Sequence, residues 1–589
     1  MTPSTILLTK RFSILVSTLF ILSFSGCSIL SKTSVPATQE LNTQLYAFQE
    51  VITPELLKDH LMIFASDEFM GRETATEHER MAANYLINQY QKLNLPGGGA
   101  NNSYLQAFSL DATVTDSLVF TLTSATGVTT VSRISQGNAP NAEFQMLFGG
   151  SDNLNGEIVF LGFGVADEAS GIDQVVGAEI EGKWVMVFRD IPYTYNGMDL
   201  VSSSITNNVR IGALLQAGAT GVIYISESDP LEFASDVEAG SVILSKPSNL
   251  RLSYRESAGF RGFGRVVAEA RADVAAELIG VAVEDLAGYK QSLVESMAQT
   301  ASGTATALEN GPVTSAAFEP IASGYSLSFQ PHRREVKLES NNVMAFLEGS
   351  DPVLKEEVVI LTSHYDHIGI TLPDESGDMI NNGADDDGSG TISLLGVATA
   401  FSKAAENGVR PKRSVLFLNV SGEEKGLLGS RYYSDHPVYP IENTVANLNS
   451  DMVGRSDDAH LSEGVTEYVY LIGGPIISSG LDSLVTVANQ KSGNVLFDYK
   501  YNDLNDPNQF YRRSDHWNFG RLGIPFSFFF TGVHEDYHRP SDHPEKIDYN
   551  KLSKISQVIF GSAIELANVD QRPVVDNQEF IEKTQAQPR

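Results

Sequence analysis

The chain has 589 residues, 42% of them hydrophobic and 19% charged, with 73 acidic against 41 basic side chains, a net charge of -32 and one cysteine. Such a length and apolar content support two or three domains with cores of their own, while the acidic excess argues against nucleic acid and anionic lipid headgroups as partners. A lone cysteine excludes an internal disulfide, so stability must come from burial and bound metal.

At the N-terminus, Lys10 and Arg11 precede an apolar run from Phe12 to Phe24, followed by Ser25-Gly26-Cys27. This reads as a signal peptide over 1–26, too short for a comfortable membrane span of about 20 residues. Cys27 stands where bacterial lipoproteins carry their lipidated cysteine, and the stretch resembles a lipobox with Phe24 where leucine is usual. The alternative is an ordinary secretory signal with an incidental cysteine. Ser28 lacks the aspartate associated with inner-membrane retention, so the expectation is a cell-envelope protein, periplasmic or anchored to the outer membrane on its periplasmic side. Membrane contact is then through the lipid alone.

Residues 27–50 are rich in Ser, Thr and Gln and read as a tether. Ala82, Leu86, Tyr90 and Leu93 recur at helical spacing, and Leu95-Pro96-Gly97-Gly98 ends that helix. Short strands follow at 157–162, 183–188 and 221–225, with a helix at 211–217. Residues 145–310 are thus expected to form a small α/β module. It has no cluster of metal-ligand types and reads as a lid or scaffold. After a connector over 311–340, strand and helix alternate through 341–570: strands at 357–363 and 414–420 flank a helical face of Leu394, Val397, Ala398 and Phe401. Such alternation implies a mixed, largely parallel sheet sandwiched by helices. Residues 571–589 read as a polar tail.

Chemistry-bearing residues sit at the carboxyl ends of these strands, where open α/β sheets place their sites. They are His364 in His-Tyr-Asp-His, Glu423 of the Glu423-Glu424 pair, Asp451 and, after a short loop, His538, joined by the aspartates of Gly-Ala-Asp-Asp-Asp-Gly-Ser-Gly at 383–390. Taken singly, each fits a solvated turn or helix start; the ordered set points to two zinc ions sharing a carboxylate, with a spare glutamate for a water. Zinc takes imidazole and carboxylate ligands and leaves a position open for water in catalytic sites, and a pair of ions can polarise substrate and water together. Asp366, two residues along an extended segment, points the same way as His364 and can orient it. Asp542 can do the same for His538. One of the adjacent glutamates ligates, and the other serves as general base and acid. By strand alternation His367 lies on the opposite side from His364, as a structural residue or pocket wall, and His516 is a packing or hydrogen-bonding residue and not a ligand.

The order and spacing resemble the co-catalytic di-zinc aminopeptidase family, which includes glutamate carboxypeptidase, glutaminyl cyclase and the transferrin receptor. Residues 65–72 resemble its N-terminal signature, 145–310 its inserted protease-associated domain and 341–566 its catalytic domain. The resemblance implies two zinc ions per chain, one held by His364 and Asp451, the other by Glu424 and His538, with Asp386 bridging. It makes Glu423 the general base and Tyr511 the donor to the developing oxyanion, and places a cis peptide within Asp385-Asp386. The implied activity is an aminopeptidase releasing N-terminal residues from peptides. A carboxypeptidase using Arg512 and Arg513, a one-zinc glutaminyl cyclase and an inactive binding protein are the alternatives.

Overall fold

The computed structural model describes residues 37–139, 141–150, 152–255, 266–302 and 320–584. The signal-like stretch, Cys27 and the start of the tether lie outside them. Among the described residues no helix is long and apolar enough to cross a membrane.

One sheet of 15 strands carries the fold. In chain order these are β1 (Leu105–Ser124), β2 (Thr129–Ser135), β3 (Phe144–Gly149), β4 (Leu154–Phe160) and β5 (Trp184–Phe188). Next come β6 (Gly221–Ile225), β7 (Ser248–Leu252), β8 (Val266–Ala270), β9 (Ile321–Leu347) and β10 (Val358–His364). The last five are β11 (Ser414–Val420), β12 (Thr444–Ser450), β13 (Tyr468–Ile472), β14 (Leu496–Asp498) and β15 (Phe526–Phe530). Their spatial order is β14-β13-β15-β12-β10-β11-β9-β4-β5-β6-β8-β3, with β1 laid along β9 and flanked by β2 and β7.

The C-terminal half has the expected mixed, largely parallel arrangement: β11, β10, β12 and β15 run parallel, β13 is antiparallel to β15 and parallel to β14, and β9 is antiparallel to its neighbours. Every residue of β10, β11 and β12 is buried, as a parallel sheet covered on both faces requires. Alternation sorts the side chains. Val359, Leu361, Val415 and Phe417 join one core, whereas Val358, Ile360, Leu416 and Leu418 join another on the opposite face. The helices that close the larger core include α1 (Pro54–Phe64), α2 (Glu77–Lys92), α3 (Gly390–Glu406) and α4 (Tyr549–Asn568). Thr53, Thr76 and Asp548 cap α1, α2 and α4 by accepting first-turn amides, satisfying donors that a helix start leaves bare.

The two halves are joined by strands rather than by a loose linker. Most of the segment expected to connect them is β9, 27 residues long. Its start pairs with β4 (Ile321 with Phe160) and its end with β11 (Val343 with Asn419), while β1 follows it from Leu105 to Ser124. The core of the inserted unit accordingly includes Leu118, Phe120, Leu327 and Phe329 from these two strands, alongside Trp184, Ile223 and Val266. At the C-terminus, Phe580 on the short helix Gln578–Thr584 is fully buried against Phe526, which docks that part of the tail.

Candidate metal centre

Because β10, β11, β12 and β15 run parallel, their carboxyl ends meet at one edge. His364 is the last residue of β10, Asp451 follows β12 directly, Glu423 and Glu424 lie in the turn after β11, and His538 lies beyond β15. The loop carrying Asp386 is held in place by Arg72, whose buried guanidinium donates to the carbonyls of Phe64, Tyr365, Asn382 and Gly383 at 2.6–3.1 Å. The turn before Arg72 needs glycine: Gly71 has φ +69°, and a Cβ there would lie 2.5 Å from the Asn381 carbonyl. The N-terminal signature thus positions the metal loop from beneath.

Asp386 divides its two oxygens. Oδ1 is 3.2 Å from His364 Nε2, which in turn is 3.6 Å from Asp451 Oδ1. Oδ2 is 3.1 Å from His538 Nε2, which is 3.1 Å from Glu424 Oε2. Ligand bonds of about 2.0–2.2 Å meeting at angles of about 90–120° set neighbouring ligand atoms roughly 2.8–3.8 Å apart, and all four separations fall in that range. His364 Nε2 is buried without a hydrogen-bond partner, an arrangement that costs about 1–3 kcal/mol unless something else fills it. The donor set therefore fits two ions with Asp386 between them. Asp387 also offers an oxygen within 4.8 Å of His364 and Asp451 ligand atoms, but its oxygens already accept the amides of His364, Gly390 and Met452 at 2.9–3.2 Å; it holds the loop.

The surrounding contacts differ from expectation in four places. Asp366 serves His364 mainly through its carbonyl, 3.0 Å from Nδ1, with its carboxylate at 3.7 Å; that carboxylate accepts from Thr74 Oγ1 and the Glu423 amide. Asp542 does not reach His538. It accepts the amides of Asp385 and Asp386 at 3.0 and 3.2 Å and so fixes the bridging loop. The cis peptide is Asp386-Asp387, one step later than expected. Tyr511 packs on Trp517 in a side core and does not line the site.

The tyrosine that does is Tyr537, stacked 3.8 Å from the ring of His538. Tyr537 shares a small pocket with Asp386, Glu423, Asp451 and an apolar wall of Met452, Phe510, Phe528, Phe530 and Val533, and Arg513 stands at it too. Its position directly before a ligand was the only signal in the sequence. Glu423 faces the same pocket, and burial, reinforced by Glu424 and Asp451, pushes its carboxyl well above the usual range. His516 is the packing residue expected: its ring lies 4.4 Å from Phe528, and burial pushes it down to about 3.

On the other side Glu424 borders a cavity of about 1170 Å³ roofed by the inserted unit. Lys246 reaches down from that unit to Glu73 at 2.9 Å and to the carbonyls of Ile368 and Ile370, and Glu73 also takes Lys425 at 3.0 Å. One carboxylate thereby ties the roof to the residue next to Glu424. Lys246→Ala is expected to loosen that roof, raising amide hydrogen exchange in the segment around Lys246 several-fold. Unchanged exchange there would remove Lys246 as the clasp.

Residues 342–563 match the sequence model of peptidase family M28. A probable leucine aminopeptidase of Arthroderma otae is 28% identical over 238 residues, 40% of this chain and 59% of that protein. Leucine aminopeptidase 1 of Ajellomyces dermatitidis is 30% identical over 225 residues, 37% of this chain and 55% of that protein. The chain thus spans a little over half the length of these two curated relatives. Among solved structures, an aminopeptidase from Aneurinibacillus sp. strain AM-1 aligns over 91% of this chain and 98% of its own at 17% identity, with a TM-score of 0.48.

Proposed function

We propose that the protein is a two-zinc aminopeptidase that removes N-terminal residues from peptides, a reading supported by the match of residues 342–563 to the model of peptidase family M28. The observation carrying this reading is the division of the Asp386 carboxylate between the His364–Asp451 pair and the Glu424–His538 pair. Two zinc ions held by these residues would supply Lewis acidity toward the scissile carbonyl and lower the pKa of a water.

The chain's own groups do the rest. Glu423, which faces the same pocket as Asp386 and Asp451, would take the proton from the attacking water and return it to the leaving amine. Tyr537, at the pocket beside Asp386 and Glu423, donates its hydroxyl to the oxygen on which charge develops. The apolar wall from Met452 to Val533 receives the first side chain, and the cavity beyond Glu424 takes the remainder of the peptide.

Arg513 at the pocket favours a second reading, recognition of a substrate carboxylate by a carboxypeptidase. A matched panel separates the two: free-amine aminoacyl anilides against N-acetylated peptides with free carboxyl ends, with zinc restored and with chelator. Chelator-sensitive cleavage confined to the anilides is the expected result. Cleavage of the blocked peptides would move the protein to the carboxypeptidase reading, and silence on both would remove the peptidase reading.

A further inference from the structure

We infer that His367 is a protein ligand of the second metal position, alongside Asp386, Glu424 and His538. This rests on the two-zinc reading above and extends it by one residue. His367 is fully buried, and neither of its ring nitrogens has a hydrogen-bond partner. His364 Nε2 shows the same combination, and there the bare nitrogen faces the first pair of carboxylates. Bare nitrogens alone do not mark a ligand, since His516 is buried with both of its own unpartnered yet packs on Phe528; what sets His367 apart is the pair of carboxylates that its Nδ1 faces.

The bare Nδ1 of His367 faces carboxylates. It lies 2.8 Å from Glu424 Oε1 and 3.8 Å from Asp386 Oδ2, the two ends of the range that ligands sharing one ion span at about 2.0–2.2 Å. The contact with Oε1 has hydrogen-bond length without hydrogen-bond direction, for both atoms remain unpartnered. Oε2 of the same glutamate meets His538, and the two imidazoles stand 5.8 Å apart at 66°. His367, Asp386 and Glu424 thus offer ligand atoms that all lie within 4.8 Å of one another, and His538 meets Asp386 and Glu424 at 3.1 Å. The ring is also fixed there: Gly383, at φ +57°, backs onto it so closely that a Cβ would lie 2.5 Å from the imidazole.

Zinc binding tests the assignment without reference to turnover. Wild type is expected to take two zinc ions, with X-ray absorption reporting about 1.5 imidazoles per zinc, three histidines over two ions. His367→Ala should keep the tighter ion, weaken the other by at least 10–100-fold, and bring the count toward two imidazoles over two ions when excess zinc refills the site. His367→Asn, which leaves an amide donor near the Nδ1 position, should not restore the affinity. Native affinity for both ions in His367→Ala would overturn the inference. Full rescue by His367→Asn would overturn it too, making the residue a hydrogen-bond donor to Glu424. A wild-type chain that takes only one ion would instead sink the two-zinc reading.

Discussion

Glu423→Gln is expected to lower kcat by about 10²–10⁴-fold, the usual contribution of a positioned general acid–base, while zinc content stays at two ions per chain. The reasoning is geometric. The atoms that converge on the two metal positions belong to His364, Asp386, Glu424, Asp451 and His538, whereas Glu423 faces the small pocket from beside them. Glutamine keeps the volume and removes the proton acceptor. KM should move little, because the step lost is proton transfer and not ground-state binding. A second readout follows from crowding: Glu424, Asp451 and Asp515 all push the Glu423 carboxyl upward, so neutralising it relieves like-charge repulsion. Metal-free Glu423→Gln should therefore unfold at a higher temperature than metal-free wild type. Turnover within a few-fold of wild type would remove Glu423 as the base, and loss of one zinc would recast it as a ligand.

The strands behind this site were legible because they are buried on both faces. Runs such as Val358–His364 and Ser414–Val420 carry almost no polar residue until the carboxyl end, so strand, edge and ligand could be read together to within a residue. Other features depend on paths that alternation does not govern. His367 was placed away from the metals by counting along a strand, but β10 stops at His364. The chain then turns so that the His367 amide donates to the Arg72 carbonyl, which swings the imidazole back toward Glu424. Tyr511 and Tyr537 present the same difficulty in loops, where distance along the chain says little about distance in space. The length of β9 was hidden for another reason: its middle is half-exposed and contains Pro331, so it lacks both the apolar run and the clean alternation that mark a strand.

Asp386→Asn is expected to reduce zinc from two ions to fewer than one per chain and to abolish the rise in unfolding temperature that zinc gives the wild type. Asparagine can offer a single neutral oxygen, whereas the native carboxylate presents Oδ1 to one histidine and Oδ2 to the other. Both positions weaken because each loses the same shared charge. A ligand at a thousand times its Kd stabilises the folded state by about 4 kcal/mol, and that linkage is the quantity the substitution removes. Asp387→Asn is the discriminating control, since Asp387 also lies within 4.8 Å of His364 and Asp451 ligand atoms yet spends its oxygens on the amides of His364, Gly390 and Met452. It should lower the unfolding temperature with or without zinc, through lost hydrogen bonds of about 1 kcal/mol each, while the difference zinc makes persists. The opposite pattern, zinc retained by Asp386→Asn and lost by Asp387→Asn, would exchange the two aspartates and with them the centre of the site.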